Sequence, residues 1–347
     1  MKKVAYILAI LLTTNGLFAQ DIHFTQISKT PLMFNPAHSG AFSGDFRIST
    51  HYRSQWASIS NPYVTYALNA DVRLKKKNWR DKHFGLGVVV LNDKAGDLDL
   101  KRFKGDLILG YHQKLNEKNY LSGGLRAGFL QHSINMVNAQ WDNQYDGTGF
   151  NSSLPSNENG SYPSFTTFDM SAGVLWTYAT HETTIASDNA RLIQIGASAS
   201  HLTTPKLSFF NIPEEDYYMR FLVHGIASIG ITNTSIAIRP SFLYQRKGPE
   251  QEAMVGLMFR QRLKEKSHYT GFIEQFDFSY GLYYRLPAEA IAPSIYLNFA
   301  NWGFGFSYDI NVSRLSTASQ FRGGMEFSLK FVTPNPYHVS RVSYPSM

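Results

Sequence analysis

The feature of this sequence that most restricts its fold is an alternation of apolar and polar residues that recurs along the chain. The clearest case closes the chain, where one face is apolar and the other carries both signs of charge. The apolar face is formed by Met325, Phe327, Leu329 and Phe331, and the polar face by Glu326, Ser328 and Lys330. A period of two residues is that of a half-buried β-strand. Lipid on one side and a polar lumen on the other would produce this pattern in an outer-membrane barrel.

Similar runs fill most of the chain, and there are about fourteen of them. They are roughly 10 to 14 residues long, the length that a tilted strand needs to cross an outer membrane, and their number is even. The runs occupy approximately 46–53, 64–72, 83–92, 102–114, 119–131, 166–179, 191–202, 217–230, 235–246, 252–263, 274–285, 290–300, 302–312 and 321–332. The sequence therefore predicts an all-β fold, a single transmembrane antiparallel β-barrel of the outer-membrane type.

Composition supports this class. Of 347 residues, 14% are aromatic and 17% are charged, against about a quarter charged in soluble proteins. After the first twenty residues no apolar run approaches the roughly 18 residues of a membrane helix. A soluble β-sandwich with an aromatic core is the alternative, but it would need more long apolar pairs than this sequence contains.

The order of the segments predicts an exported protein. Lys2 and Lys3 precede an apolar run at 4–12, the layout of a secretory signal peptide, and we place its cleavage after Ala19. We expect a signal peptide at 1–19, an N-terminal segment at 20–44, the barrel at 45–332 and a periplasmic C-terminal tail at 333–347. The N-terminal segment would either plug the lumen or line its periplasmic mouth. The predicted location is the outer membrane of a Gram-negative cell, reached by Sec export.

Patterns that would carry catalysis are absent from the sequence. There is no G-x-S-x-G, no H-E-x-x-H and no phosphate-binding glycine loop, and the eleven histidines are scattered. The absence of cysteine excludes a disulfide framework and a thiolate metal site. We therefore predict no catalytic residues, no cofactor, no metal site and no enzyme activity. A lipid hydrolase with a serine and a histidine at one rim is the alternative, although no supporting spacing exists.

Charged residues on the predicted strands should face the lumen, because an Arg or Lys facing lipid at the midplane costs roughly 2–4 kcal/mol. The candidate lumen charges are Arg47, Asp71, Arg126, Arg220, Arg239 and Asp277. Two interpretations stay open at this stage. The charges could line a selective pore, or they could form a paired network that fills a closed barrel.

One dense basic cluster lies between the second and third runs. It consists of Lys75, Lys76, Lys77, Arg80 and Lys82. If both chain ends are periplasmic, this turn is periplasmic too, where it could dock a partner or contact anionic lipid headgroups. A solvated turn is the alternative. The basic excess of the whole chain is mild and spread out, so we predict no nucleic-acid partner.

Several separated motifs occur together in a fixed order. After the signal and Gln20-Asp21 come FNPAHSG at 34–40, YRSQW at 52–56, FSYD at 306–309 and GGMEFSL at 323–329. Together they resemble the PorP/SprF family of type IX secretion system membrane proteins of the Bacteroidetes. The shared positions, whose roles the family does not define, are Asn35, Pro36, Gly40, Tyr52, Arg53, Gln55, Trp56, Tyr308, Asp309 and Glu326.

The resemblance implies a non-catalytic outer-membrane barrel that works with the secretion and gliding apparatus. Its implied partners are periplasmic components of that machine and a large surface adhesin with a C-terminal targeting domain, besides the outer-membrane lipid. Transport of a hydrophobic or small polar solute is the alternative function. It predicts an open lumen. Two features of this chain depart from the pattern: it continues past Phe331, and it has a long loop at 131–165.

Overall fold

The computed structural model describes residues 24–58, 61–75, 81–96, 98–135, 139–157, 164–180, 190–206, 217–264, 276–287, 290–313 and 316–333. These residues form a closed barrel in which fourteen antiparallel strands follow each other in chain order. The fold predicted from the alternation is confirmed. The predicted signal peptide at 1–19 lies outside the described residues, as does the predicted tail at 333–347 except for Thr333.

The strands match the alternating runs closely. They are β1 (Phe46–Gln55), β2 (Tyr63–Leu74), β3 (Lys82–Ala95), β4 (Leu100–Lys114), β5 (Asn119–Ser133), β6 (Phe165–Ala179), β7 (Arg191–Ser200), β8 (Arg220–Gly230), β9 (Ile236–Lys247), β10 (Glu250–Lys264), β11 (Phe276–Leu286), β12 (Ala290–Phe299), β13 (Trp302–Asn311) and β14 (Arg322–Val332). Among the described residues, no helix has the length and hydropathy of a membrane span.

The closing strand has the two faces that its sequence predicts. Glu326 is 1% exposed and lies inside the barrel, whereas its neighbour Phe327 is 45% exposed on the outer surface. Strand β14 closes the barrel against β1, with Arg53 opposite Glu326 and Tyr52 opposite Phe327. Met325 and Phe327, the residues on either side of Glu326, therefore face outward.

The first strand begins and the last strand ends at the same end of the barrel. We call this end the proximal rim; β1 begins there at Phe46 and β14 ends there at Val332. The opposite end is the distal rim. The two longest links, 134–164 and 201–219, both lie at the distal rim because they follow β5 and β7.

The N-terminal segment runs through the lumen. From Phe24 in the distal half it passes through a short helix α1 (Pro31–Phe34) and a 3-10 turn (Pro36–His38) to the proximal rim. There the Asp45 amide donates to the Thr333 carbonyl. Residues 24–45 thus lie inside the barrel wall, and we call them the plug; the domain boundaries expected from the sequence stay predictions.

The lumen is not uniformly polar. Inward side chains, most of them on β8 to β12, form an apolar core with the segment's Phe24, Ile27 and Phe34. The wall contributes Leu222, Ile226, Leu243, Met254, Met258, Ala292, Tyr283 and Tyr296, together with Ala67 on β2 and Leu91 on β3. The expectation of a polar lumen is wrong for this sector, because these side chains pack on protein and not on water.

Candidate functional site

The functional candidate is the interface between the lumen wall and the N-terminal segment, residues 24–45. Its first part is a charged cluster in the distal half. Arg53 on β1 bonds Glu326 on β14 at 2.9 Å and Asp309 on β13 at 2.6 Å. Arg285 on β11 bonds Asp309 at 3.0 Å. All four residues are buried, and the cluster joins four strands of the wall, β1, β11, β13 and β14, across the β1–β14 seam.

This cluster holds the start of the segment. Both oxygens of Glu326 accept backbone amides, from Thr25 at 2.8 Å and from Gln26 at 3.1 Å. The Thr25 hydroxyl donates to Asp309 at 3.0 Å and accepts from Arg53 at 3.0 Å. The Gln26 side chain donates to the Glu326 carbonyl and accepts from Ser328. Charge-assisted bonds of this kind are about twice as strong as neutral ones.

A row of glycines forms the second part of the interface. Gly85, Gly110, Gly124 and Gly173 are directly paired neighbours across β3, β4, β5 and β6, and all four face inward. A Cβ on Gly85 would overlap the carbonyl of Ser39, and one on Gly124 would overlap the backbone of Pro36 and Ala37. Because these residues lack side chains, the main chain of the segment packs directly on the strand backbone. We call this row of four glycines the glycine seat.

Asn35 positions the 3-10 turn on this seat. Its side-chain oxygen accepts from the Ala37 amide at 2.9 Å, as expected of an N-cap residue, and Pro36 occupies the first helical position. Its amide nitrogen donates to the wall carbonyls of Val174 at 2.9 Å and Ala197 at 3.3 Å. One side chain thus shapes the turn and fixes it to β6 and β7.

Two stacked histidines bind the next residues of the segment. The rings of His83 and His112 lie 4.2 Å apart and nearly parallel. His112 Nε2 lies 2.6 Å from the Ser39 carbonyl, and His83 Nε2 lies 3.2 Å from the Gly40 carbonyl. Because a carbonyl only accepts, both Nε2 atoms must carry the proton. Gly40 itself has φ +80°, a conformation that favours glycine.

An ion pair binds the same part of the segment at the proximal end. We call this pair and the two stacked histidines, His83 and His112, the histidine clamp. Arg47 on β1 and Asp71 on β2 form two parallel bonds of 2.8 Å. Asp71 also accepts from the Gly40 amide at 2.8 Å, and Arg47 donates to the His38 carbonyl at 3.2 Å. These two predicted lumen charges therefore pair with each other and hold the segment.

The remaining predicted lumen charges also face inward. Arg126 on β5 donates to the carbonyls of Leu32 and Met33 in the segment. The other contacts are Arg220 with Ser200 at 3.4 Å, Arg239 with Ser228 at 3.3 Å, and Asp277 with Arg262 at 3.9 Å. These contacts are those of a packed interior, and the individual roles remain predictions.

The other family-motif positions lie in the wall and not at the segment. The ring of Tyr52 packs on Tyr66 at 5.2 Å, and Trp56 packs on Tyr63 at 4.8 Å, both toward the distal end of β1. Gln55 pairs with Gly324 at the same end, and Tyr308 pairs with Met325. The shared sequence motifs thus contain two kinds of residue: some bind the N-terminal segment, and others lie in the wall at the β1–β14 seam or near the distal rim.

The basic turn between β2 and β3 lies at the proximal rim. Lys75 and Lys82 are exposed there, whereas Lys76, Lys77 and Arg80 lie outside the described residues. Within those described, no group of three or more histidine and acidic side chains is arranged to hold a metal ion.

A compact loop lies at the distal rim, within 139–157. Tyr145 and Phe150 pair as an isolated bridge around a turn in which Asp146 accepts from Thr148 and from the Gly149 amide. These hydrogen bonds, led by that of the Thr148 hydroxyl, hold the pKa of Asp146 below its usual value. Tyr145 is 61% exposed and Phe150 46% exposed, so the loop presents two aromatic rings to the outside of the barrel.

The glycine row and the histidine clamp are the features that sequence reasoning missed. The four glycines are separated along the chain by unequal intervals, and only the strand register aligns them. The histidines carry no signal in the sequence, because no sequence motif connects a strand histidine with a carbonyl in a distant segment. The one signal available was the inward parity of Gly85, Gly110 and Gly124 in their alternating runs.

Among solved structures, the chain is similar to several barrels at low identity. BamA from Haemophilus ducreyi lacking POTRA domains 1–3 is 10% identical, with 83% of this chain and 70% of that chain covered and a TM-score of 0.43. A Pseudomonas aeruginosa FadL homologue is 10% identical, with 85% and 91% covered and a TM-score of 0.42. Pseudomonas putida OprB is 10% identical, with 91% and 99% covered and a TM-score of 0.39.

No curated protein matches the chain by sequence. A family model, by contrast, matches almost the whole of it. The model is that of the type IX secretion system membrane protein PorP/SprF, and the match extends over residues 17–331. It therefore includes the whole plug and thirteen complete strands, together with all of β14 except its last residue. The chain belongs to the PorP/SprF family of type IX secretion system membrane proteins.

Proposed function

We propose that this protein is a non-catalytic outer-membrane component of the type IX secretion and gliding apparatus. In this proposal the barrel is a closed anchor. It docks periplasmic components of the machine at its proximal rim and supports the export or surface attachment of a cargo protein at its distal rim. The observation that carries the proposal is the anchored N-terminal segment, which runs inside the barrel from the distal half to the proximal rim.

Passage through this lumen would require the segment to leave three different kinds of attachment. Thr25 and Gln26 are bound to buried charges, residues 36–40 lie against bare glycine backbone, and Phe24 and Ile27 are buried among apolar side chains. Burying such an apolar side chain contributes about 1.5–3 kcal/mol. A barrel filled in this way is better suited to holding partners than to conducting solutes.

The proposed orientation follows from the lengths of the links. Outer-membrane barrels have short periplasmic turns and longer extracellular loops. The longest links are distal, so we assign the proximal rim to the periplasm. The basic turn at Lys75 and Lys82 then faces acidic periplasmic partners, and the loop that exposes Tyr145 and Phe150 faces the surface protein.

Affinity purification from native membranes in mild detergent, with partners identified by mass spectrometry, tests both rims. One variant replaces the five basic residues of the 75–82 turn by Gln. A second variant replaces Tyr145 and Phe150 by Ser. We expect the first variant to lose periplasmic components while keeping a surface adhesin with a C-terminal targeting domain, and the second variant to do the reverse.

Each variant is the control for the other, because the described residues that they change are exposed side chains at opposite rims of the barrel, and both variants should leave its melting unchanged. Recovery of the wild-type barrel without any partner would contradict the proposal. Sustained conductance of the wild-type barrel in planar bilayers would favour solute transport instead.

A further inference from the structure

The outer wall has an apolar groove directly behind the glycine row. Its volume is about 610 Å³, and its floor is the backbone of Gly124, Gly173 and Ser198. On the inner side, the same three residues meet the N-terminal segment: Pro36 lies against Gly124, Asn35 against Gly173, and the Phe34 carbonyl accepts from Ser198. In this sector a bare sheet separates the plug from the membrane.

The groove follows one row of paired outward residues across six strands. In order, the row is Phe84, Tyr111, Gly123, Val174, Ala197 and Val223. In the neighbouring row, Ala172 and Ala199 are also small. Five strand spacings of about 4.8 Å make this row roughly 24 Å long. Because the strands of such barrels are tilted by about 35–45°, the row is inclined to the membrane plane by the same angle and spans roughly 15 Å of depth, about the hydrocarbon thickness of one leaflet. The row is therefore long enough for one acyl chain.

Small side chains leave the groove open, as a comparison with the opposite wall indicates. One row of paired outward residues there, across β9 to β13, consists of Phe242, Val255, Tyr284, Ile291 and Ile310, and contains nothing smaller than valine. The large groups of that row fill the surface that Gly123 and Ala197 leave open on the groove side.

Polar groups lie at the proximal mouth of the groove. Lys82 and Gln113 are paired neighbours, each two residues beyond a ring of the groove, and the Tyr111 hydroxyl donates to Gln113 at 2.8 Å. Nearby Trp176 donates from its indole to Asn119 at 3.2 Å. Tyr and Trp at strand ends mark the level of lipid headgroups.

The charge at this mouth suits an anionic headgroup. In the adjoining link between β2 and β3, the described charged residues are the exposed Lys75, Asp81 and Lys82, two basic and one acidic. Among the described groups of the next turn, Lys114 is paired with Glu117 at 2.9 Å. Asp81 is the opposing charge beside Lys82. The net charge of the described residues at the mouth of the groove is therefore positive.

We propose that the groove binds one acyl chain of a glycerophospholipid whose phosphate lies at Lys82 and Gln113. The lipid would pack on the outer side of the sheet at Gly124, Gly173 and Ser198, whose inner side contacts the plug. Its acyl chain would fill the space that larger side chains occupy elsewhere on the outer wall. A membrane-embedded partner protein is the competing occupant, and the experiment distinguishes the two.

The test titrates purified, delipidated barrel in detergent with dioleoylphosphatidylglycerol and follows binding by native mass spectrometry. We expect wild type to bind one lipid tightly, and Ala197→Phe or Ala172→Leu to bind at least tenfold more weakly. Lys82→Gln should weaken binding about fivefold, the effect expected for one basic residue near an anionic lipid. Val255→Phe on the opposite wall is the matched control and should bind as wild type does.

Equal binding by wild type and Ala197→Phe, with Ala172→Leu also unchanged, would overturn the proposal. So would an equal loss in Val255→Phe. If Ala197→Phe instead kept the lipid but lost a membrane protein recovered from native membranes, a protein covers the groove and the proposal is wrong. Lys82 also belongs to the basic turn that we propose docks periplasmic partners, but Ala197 does not. Lipid binding by Ala197→Phe is therefore a test of the groove that is independent of the proposed secretion role.

Discussion

Replacing one glycine of the row by a residue with a side chain should detach the plug from the wall without altering the strand pairing. The change we consider is Gly124→Val on β5. A Cβ at this position meets the backbone of Pro36 and Ala37, which cannot rotate away as a flexible side chain could. The strand pairing of Gly124 with Gly110 and Gly173 uses only backbone atoms, so the barrel itself should still close.

The size of the effect follows from the packing. Inserting extra carbon atoms into a well-packed interior costs about 1–3 kcal/mol. Here the cost applies only while the segment is docked, so it changes the equilibrium between docked and detached plug. Since 1.4 kcal/mol is a factor of ten, the detached population should rise roughly 5- to 150-fold.

The chain has no cysteine, so one reporter thiol measures that population. Ser39→Cys adds no carbon atom, and Ser39 is 0% exposed in the docked segment. We expect a membrane-impermeant maleimide to react with this thiol slowly in the parent and 5- to 150-fold faster when Gly124→Val is added.

The neighbouring residue provides the control. Gly123 lies on the same strand but faces outward, and a Cβ there meets nothing within 4 Å. Gly123→Val should therefore leave the labelling rate unchanged. Equal rates in all three proteins, or equal acceleration by Gly123→Val and Gly124→Val, would refute the idea that the glycine row is a seat for the plug.

Three further predictions concern the other attachments. Replacing Arg53 by Met leaves the buried carboxylates of Glu326 and Asp309 without their shared cation, and should lower stability by about 3–5 kcal/mol in denaturant unfolding; an unchanged midpoint would contradict this. Asn35→Ala removes the cap of the 3-10 turn and should cost about 0.5–2 kcal/mol in the same assay, with no change in strand content by circular dichroism. Deleting residues 24–42 should convert a non-conducting barrel into a conducting one in planar bilayers, and a deletion variant that stays closed would show that other parts of the chain seal the lumen.

The sequence was sufficient for the wall but not for what the wall encloses. Alternation along each run predicted the strands and the inward position of Glu326, because the side-chain period of a strand is fixed by its geometry. In β10 the same method cannot separate the two faces. Met254 and Met258 point into the plugged lumen, while Val255 and Leu257 point to lipid, and both environments select apolar residues. Only knowledge of the segment's position distinguishes them.

The glycine seat was beyond sequence reasoning for a different reason. It depends on the register of four strands, and a row across strands has no signature along the chain. The anchors were partly visible, since Arg53, Asp309 and Glu326 occur in the shared motifs. Their convergence on Thr25 depends on closure of the barrel between β1 and β14, the most distant pairing in the chain.

The composition of the lumen wall argues for a filled barrel independently of where the segment lies. If the lumen held water, the charged sector around Arg53 would be hydrated and the glycine row would remain paired, so neither would be severely destabilised. The apolar sector would behave differently, because Leu222, Met254 and Met258 would face water at about 25 cal/mol for each Å² exposed. A wall of this kind is stable only when an apolar partner fills it. The described segment supplies that partner with Phe24, and a channel function would have to replace it.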